Sequence, residues 1–165
     1  MTNPSTGRVL SQVGSLDELV GAHPDALRRI YGSGRVADPA ELGESPRGRL
    51  LAIEAGQDAF LAVRRVIQLL ATDRSPWQGK AFEPSDGTGH NVVLGRRSFP
   101  FAVELGDSAV DGLPTLVLRY DEPRHKNPWP VRALRDELRA VSDGVAIGPV
   151  LHQQRVVGWF GLSRR

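Results

Sequence analysis

The sequence has no cysteine, which excludes disulfides, thiolate metal centres and cysteine nucleophiles. Lysine is almost missing: Lys80 and Lys126 are the two present, and arginine carries the rest of the positive charge. A guanidinium binds carboxylates and phosphates bidentately, so such a bias can mark anion recognition. Here, however, every arginine cluster has acids nearby, as in a chain from a GC-rich genome. There is no excess of one sign either, since 21 Lys+Arg face 19 Asp+Glu for a net charge of +2. With no zinc-finger spacing and no basic stripe interleaved with aromatics, nucleic acid is not an expected partner. No run of about 18 apolar residues occurs, so no membrane span is expected. The opening residues MTNPSTGRVLSQVGS lack the apolar core of a signal peptide, which favours the cytoplasm. His23, His90, His125 and His152 lie far apart and share no metal-ligand spacing. His90 and His125 fall in turn-like segments, as solvated loop histidines or as bases assembled in space. Gly87-Thr88-Gly89 lacks the P-loop pattern, and no serine sits in a G-x-S-x-G elbow. Neither a metal nor a cofactor is expected.

What remains is an ordinary globular composition of 165 residues, enough for one domain. Residues 1–14 read as a flexible tail and 15–165 as a single domain. Within it, 15–75 reads as mainly helical and 76–165 as an antiparallel barrel. Ser15 with Glu18 forms a capping box for a short helix from Leu16 to about Ala22. Pro24 starts a second helix that reaches Tyr31, and Asp38-Pro39 starts a turn of helix closed by Gly43. Arg49–Ile53 reads as a strand or as the lead into the next helix. Gln57–Ala71 is the clearest helix, with Phe60, Val63, Ile67 and Leu70 at three- and four-residue spacing and Asp58 in its first turn. From Trp77 onward the apolar runs shorten and turn signals separate them. Trp77–Phe82, Asn91–Leu94, Ser98–Leu105, Thr115–Tyr120, Val145–Leu151 and Val156–Leu162 read as strands. Val131–Val141 is read as a strand leading into the Asp143-Gly144 turn, although Val131, Leu134, Leu138 and Val141 also fit helical spacing.

Several segments carry a family likeness: Trp77-Gln78-Gly79-Lys80, Tyr120-Asp121-Glu122-Pro123, Arg135-Asp136-Glu137-Leu138-Arg139, Gly144–Gly148 and Trp159-Phe160-Gly161-Leu162. In this order they resemble lipocalin-like (calycin-type) bacterial proteins of the GXWXG/DUF4334 kind, over about residues 77–162. Ser75 stands where that pattern has glycine. The resemblance implies an α+β fold, with N-terminal helices packed on an antiparallel calycin/lipocalin-like β-barrel that has an interior cavity. It also implies that Trp77 plugs one barrel end beneath a stacked arginine, Arg139 or Arg164.

On such a barrel the expected occupant is a small hydrophobic molecule, bound by a monomer or homodimer. Cavity sites combine apolar walls with a few fixed polar groups. Phe82, Phe99, Phe101, Leu116, Leu118, Tyr120 and Trp159, with Trp77, are candidates for the walls; Asp136, Arg139 and Tyr120 are candidates for the polar groups. On a strand, Asp136 shares a face with Leu134 and Leu138, and Glu137 with Arg135 and Arg139. An inward Asp136 needs a partner, either a structural ion pair or a ligand. Asp136 is therefore the candidate catalytic residue of an alternative function, a cofactor-independent isomerase, cyclase or hydratase. There it would abstract a proton while Tyr120 or Arg139 stabilises negative charge. A third possibility is a structural or interaction module that docks a partner on the Gln57–Ala71 helix. Trp129, in a proline-flanked loop, reads as packing or as an exposed contact.

Overall fold

Short apolar stretches with alternating burial, joined by tight turns, build the molecule as one closed sheet. The computed structural model describes residues 13–54, 61–70 and 74–165, with backbone alone for 67–70. Its strands are β1 (Arg35–Val36), β2 (Arg47–Ile53), β3 (Trp77–Glu83), β4 (Thr88–Val93), β5 (Arg96–Asp107), β6 (Pro114–Arg119), β7 (Leu134–Ser142), β8 (Val145–His152) and β9 (Arg155–Ser163). From β2 to β9 each strand pairs antiparallel with the next, and β2 returns to β9, closing an eight-stranded up-and-down barrel. The two-residue β1 extends the wall beside β7, at Arg139 and Ala140. Among the described residues, two connections have positive φ at both central residues, Leu94-Gly95 and Gln153-Gln154. This is the hairpin turn whose twist matches that of the flanking strands.

The helices are α1 (Pro24–Ser33), α2 (Pro39–Leu42) and α3 (Leu61–Leu70). His23 Nδ1 accepts from Asp25 N–H at the start of α1, and Asp38 Oδ1 accepts from Ala40 N–H at the start of α2. The helix expected from Leu16 to Ala22 is a single 3-10 turn, Leu16–Leu19, with Ser15 accepting from Asp17 N–H. Pro24 restarts the chain too soon for a longer element. The expected ends of the third helix, 57–60 and 71, lie outside the described residues, as does most of the tail expected over 1–14. Val13 is anchored through its carbonyl by Ser142 Oγ at 3.0 Å.

The expected division at residue 76 is corrected. The barrel begins at Arg47, because β2 pairs with β9 from Arg47 to Ile53 and completes the closure. Residues 131–141 split into a 3-10 turn, Val131–Ala133, followed by β7. Among the described residues, no helix is long and apolar enough to cross a membrane.

Side chains on the inner face, including Phe82, Phe101, Leu118, Leu138, Phe160 and Leu162, form one buried cluster. A second cluster lies outside the wall, where Leu16, Leu19, Leu27 and Tyr31 meet Val141, Ile147 and Trp159. Leu27, Tyr31 and Trp159 are fully buried there. Side chains of this size contribute about 1.5–3 kcal/mol each on leaving water.

The β2–β3 seam is unlike the others. A single residue pair, Arg47 with Gly79, joins these strands. Val63 of α3, in the connection between them, is fully buried in the inner cluster.

Candidate functional site

The site is built where β3 bulges. The β3–β4 register slips between Trp77 and Gly79, and Gly79 takes φ 139°. A Cβ on Gly79 would stand 2.3 Å from the Pro46 carbonyl oxygen, so glycine is needed at this crossing. The extra residue resets the alternation, and Trp77, Lys80 and Phe82 are all buried on the inner side.

Lys80 is thereby drawn into the barrel, at 2% exposure. Its Nζ donates to Asn91 Oδ1 at 2.9 Å and to Tyr120 Oη at 2.6 Å, and pairs with Asp136 Oδ2 at 2.8 Å. These contacts use all three ammonium donors. Four rings surround the cation, with centroids at 5.1 Å for Phe101 and Phe160, 5.4 Å for Tyr120 and 5.7 Å for Trp77. Tyr120 Oη donates to Asp136 Oδ2 at 2.7 Å, and Asn91 Nδ2 donates to Tyr120 Oη at 3.1 Å. Trp77 Nε1 donates to Asn91 Oδ1 at 2.9 Å.

Burial lowers the Lys80 ammonium from its ordinary range, and the Asp136 carboxylate opposes that shift. Burial, reinforced by the Asp136 charge, raises the Tyr120 phenol well above its ordinary value. Tyr120 therefore stays protonated as a donor at neutral pH.

A cavity of about 90 Å³ adjoins this cluster. Lys80, Asn91, Tyr120 and Asp136 are its polar lining; Leu50, Val66, Trp77, Val93, Phe99, Val131, Leu134, Val150 and Phe160 are its apolar lining. Phe99, at 36%, is the exposed residue of the lining. Phe99 is also the unpaired residue of a bulge in β5, at φ 47°. Its carbonyl accepts from Asn91 Nδ2 at 3.1 Å, which ties this edge of the cavity to the polar cluster.

Of the residues expected at the site, Trp77, Phe99, Tyr120 and Asp136 converge on the cavity. Phe101 and Leu118 are fully buried in the inner cluster without lining it, and Phe82 and Leu116 pack in that same cluster. Arg139 is a correction. It lies on the outer face of β7, one residue out of phase with Asp136, and its guanidinium pairs with Asp111 at 2.6 and 2.8 Å. It stacks on Tyr31 at 4.2 Å and not on Trp77, whose nearby cation is Lys80. Arg164, the other stacking candidate, pairs with Asp143. Trp159 is the second correction. The inner positions of β9 are Phe160 and Leu162; Trp159 faces outward, packs edge-on against Tyr31 and donates to Glu54 at 2.9 Å.

The outer face of β7 holds its own polar cluster. Fully buried Glu137 accepts from Tyr31 Oη at 2.7 Å, Ser108 Oγ at 2.6 Å, Ala109 N–H at 2.8 Å and Arg135 at 3.0 Å. Their bonds tie α1 to the barrel wall.

Lys80 and Asn91 are the functional candidates that the sequence did not single out. The one available signal was the rarity of lysine in a chain dominated by arginine. Of the histidines, His23 caps α1 and His152 lies buried in β8; His90, expected in a solvated turn, lies buried in β4. Among the described residues, no group of His, Asp and Glu converges as a metal site.

No family model matches the chain, and no curated protein matches it. Among solved structures, it is similar to a protein from Thermomonospora curvata with a TM-score of 0.57 and 12% identity, covering 90% of this chain and 92% of that one. Similarity at this identity is one of fold, and it agrees with the barrel described above.

Proposed function

We propose that the barrel binds a small, mostly apolar molecule whose single polar end meets Lys80, Asn91, Tyr120 and Asp136. The observation that carries this is the cavity itself, apolar along its walls and polar at one patch. That is the usual composition of a small-molecule site. Lys80 and Asp136 neutralise each other, so a neutral carbonyl or hydroxyl fits better than an ion. An engineered apolar cavity of about 150 Å³ holds benzene. By that comparison, about 90 Å³ suits a smaller group, with any longer tail leaving past Phe99. Such binding is the use that the lipocalin-like resemblance implies for this barrel. The test is mass spectrometry of organic extracts from natively purified protein, beside a denatured and refolded control. A stoichiometric compound in the native sample alone is the expected result. Its absence, together with no binding of short alcohols or amides, overturns the proposal.

One arrangement favours a second function, proton transfer on the bound molecule. Asp136 lines the cavity beside a protonated Tyr120 and Lys80, which supplies a base and two donors for developing negative charge. In heavy water, the protein should then speed deuterium uptake by an acidic C–H of its ligand, and Asp136→Asn should abolish the effect. Equal uptake with the variant rules this chemistry out. The interaction-module alternative expected no cavity and an exposed apolar face on α3. Instead, Val63 is buried and Val66 lines the cavity.

A further inference from the structure

We propose that Lys80 is an imine-forming residue, and that the molecules the cavity takes include short-chain aldehydes. This rests on the ligand-binding function proposed for the cavity. The amine lines an apolar chamber, and its nearest carboxylate can take its proton. A lysine in apolar surroundings is a recognised carbonyl nucleophile.

The steps balance without any further reactant. Asp136 Oδ2, at 2.8 Å, takes a proton from the ammonium. The freed amine attacks the aldehyde carbon, forming the N–C bond, and a proton passes from nitrogen to the former carbonyl oxygen. Asp136 then protonates that hydroxyl; the C–O bond breaks and water leaves. The product is an iminium cation at Nζ beside an Asp136 carboxylate. The cluster begins and ends as one cation and one anion. Imine formation therefore leaves no buried charge unpaired, the costly event in such an interior. Once Asp136 carries the proton, Tyr120, whose hydroxyl otherwise donates to Asp136 Oδ2, is released to turn that O–H to the carbonyl oxygen during the attack.

Reductive trapping tests this directly, because the chain has two lysines. Full-length protein is treated with propanal and cyanoborohydride, and peptide mapping locates the added propyl group. A merely structural Lys80, at 2% exposure, reacts far more slowly than exposed Lys126. The expected result is the reverse order, with Lys80 modified at least tenfold faster than Lys126 and the N-terminal amine. Modification at Lys126 with Lys80 untouched overturns the proposal.

Asp136→Asn keeps the amine and removes the acid that protonates the leaving hydroxyl, and should slow labelling of Lys80 at least tenfold without changing that of Lys126. Equal labelling in the variant also overturns the mechanism. Binding of unreactive propan-1-ol is followed in parallel by methyl NMR shifts of Val66 and Val150. Alcohol binding without labelling of Lys80 sinks the imine chemistry and leaves the cavity function standing. Neither binding nor labelling sinks both.

Discussion

Lys80 and Asp136 are each almost completely buried, and each is the other's counter-ion. Removing one partner of such a pair strands the other charge and typically costs about 3–5 kcal/mol. Lys80→Met should therefore lower the unfolding free energy by about that amount in urea titrations. Adding Asp136→Leu removes the stranded carboxylate and should recover most of the loss, giving a large coupling in the double-mutant cycle. Additive effects would mean that the pair does not interact as its geometry requires. The tyrosines give a second residue-scale prediction. Tyr31 and Tyr120 are the two in the chain, both buried, and burial is the first cause raising each phenol. An acid group whose folded value is raised stabilises the fold below its unfolded value, near 10.0, and that stabilisation is lost as pH rises through it. Native protein should show no tyrosinate absorbance as pH climbs past that point, until both rings ionise together with unfolding. A gradual single-ring titration in folded protein would contradict this. Tyr120 and Asp136 were legible as residues because strand alternation holds around them. Lys80 was not. Counting in twos from Trp77 sends Lys80 to the opposite face, and the register change at Gly79 is invisible until β3 and β4 are paired. Arg139 shows the reverse: strand alternation alone sets it on the face opposite Asp136, where Asp111 and Tyr31 hold it.

At the scale of elements, β3 owes its shape to one position. Gly79→Ala would place a methyl 2.3 Å from the Pro46 carbonyl oxygen at φ 139°, a backbone region that L side chains rarely adopt. The seam to β2 depends on this same residue, so the variant should lose at least about 3 kcal/mol or fail to fold, as severe strain does. Gly95→Ala is the matched control. Its φ is 72° with open space around it, and the expected loss is about 1 kcal/mol, read from the same urea titrations. Similar losses in both would place the cost in the dihedral alone. The strands after Trp77 were mostly legible, since their turn signals are local. The position of β2 in the barrel was not, because its pairing with β9 joins segments about a hundred residues apart and no local pattern records it. The cavity contribution of Val66 was hidden for a related reason. Helical spacing shows which side of α3 is apolar but not what that side meets.

At the scale of the molecule, two polar clusters sit on either side of one wall. The outer one joins α1, the β5–β6 connection and β7 through Arg139, Asp111, Tyr31 and Glu137. Hydrogen bonding from Arg139 holds Asp111 below its ordinary 3.8. A lowered acid stabilises the fold above its unfolded value, and that contribution disappears as pH falls through the folded one. Asp111→Asn should thus cost about 1–3 kcal/mol near neutral pH, since it leaves the Arg139 cation less well paired. The gap between variant and parent should narrow as pH falls below 3.8 in acid denaturation series. A gap independent of pH would remove the ion pair from the account.

The two clusters also bear on how the barrel avoids assembling wrongly. Neighbours on β7, Asp136 and Glu137 send their carboxylates to opposite sides of the wall, each to its own set of donors. Sliding the strand by one residue would carry Glu137 towards Lys80 and drive Arg135 and Arg139 into the apolar interior, while Asp136 would face Tyr31. An apolar strand misplaced in this way loses packing on one face. Here, a single slip exposes unmatched charge to both faces at once. The adjacent acids thus proofread the sheet: whatever else the pair does, it makes the correct alignment of this wall the one in which every buried charge finds its partner.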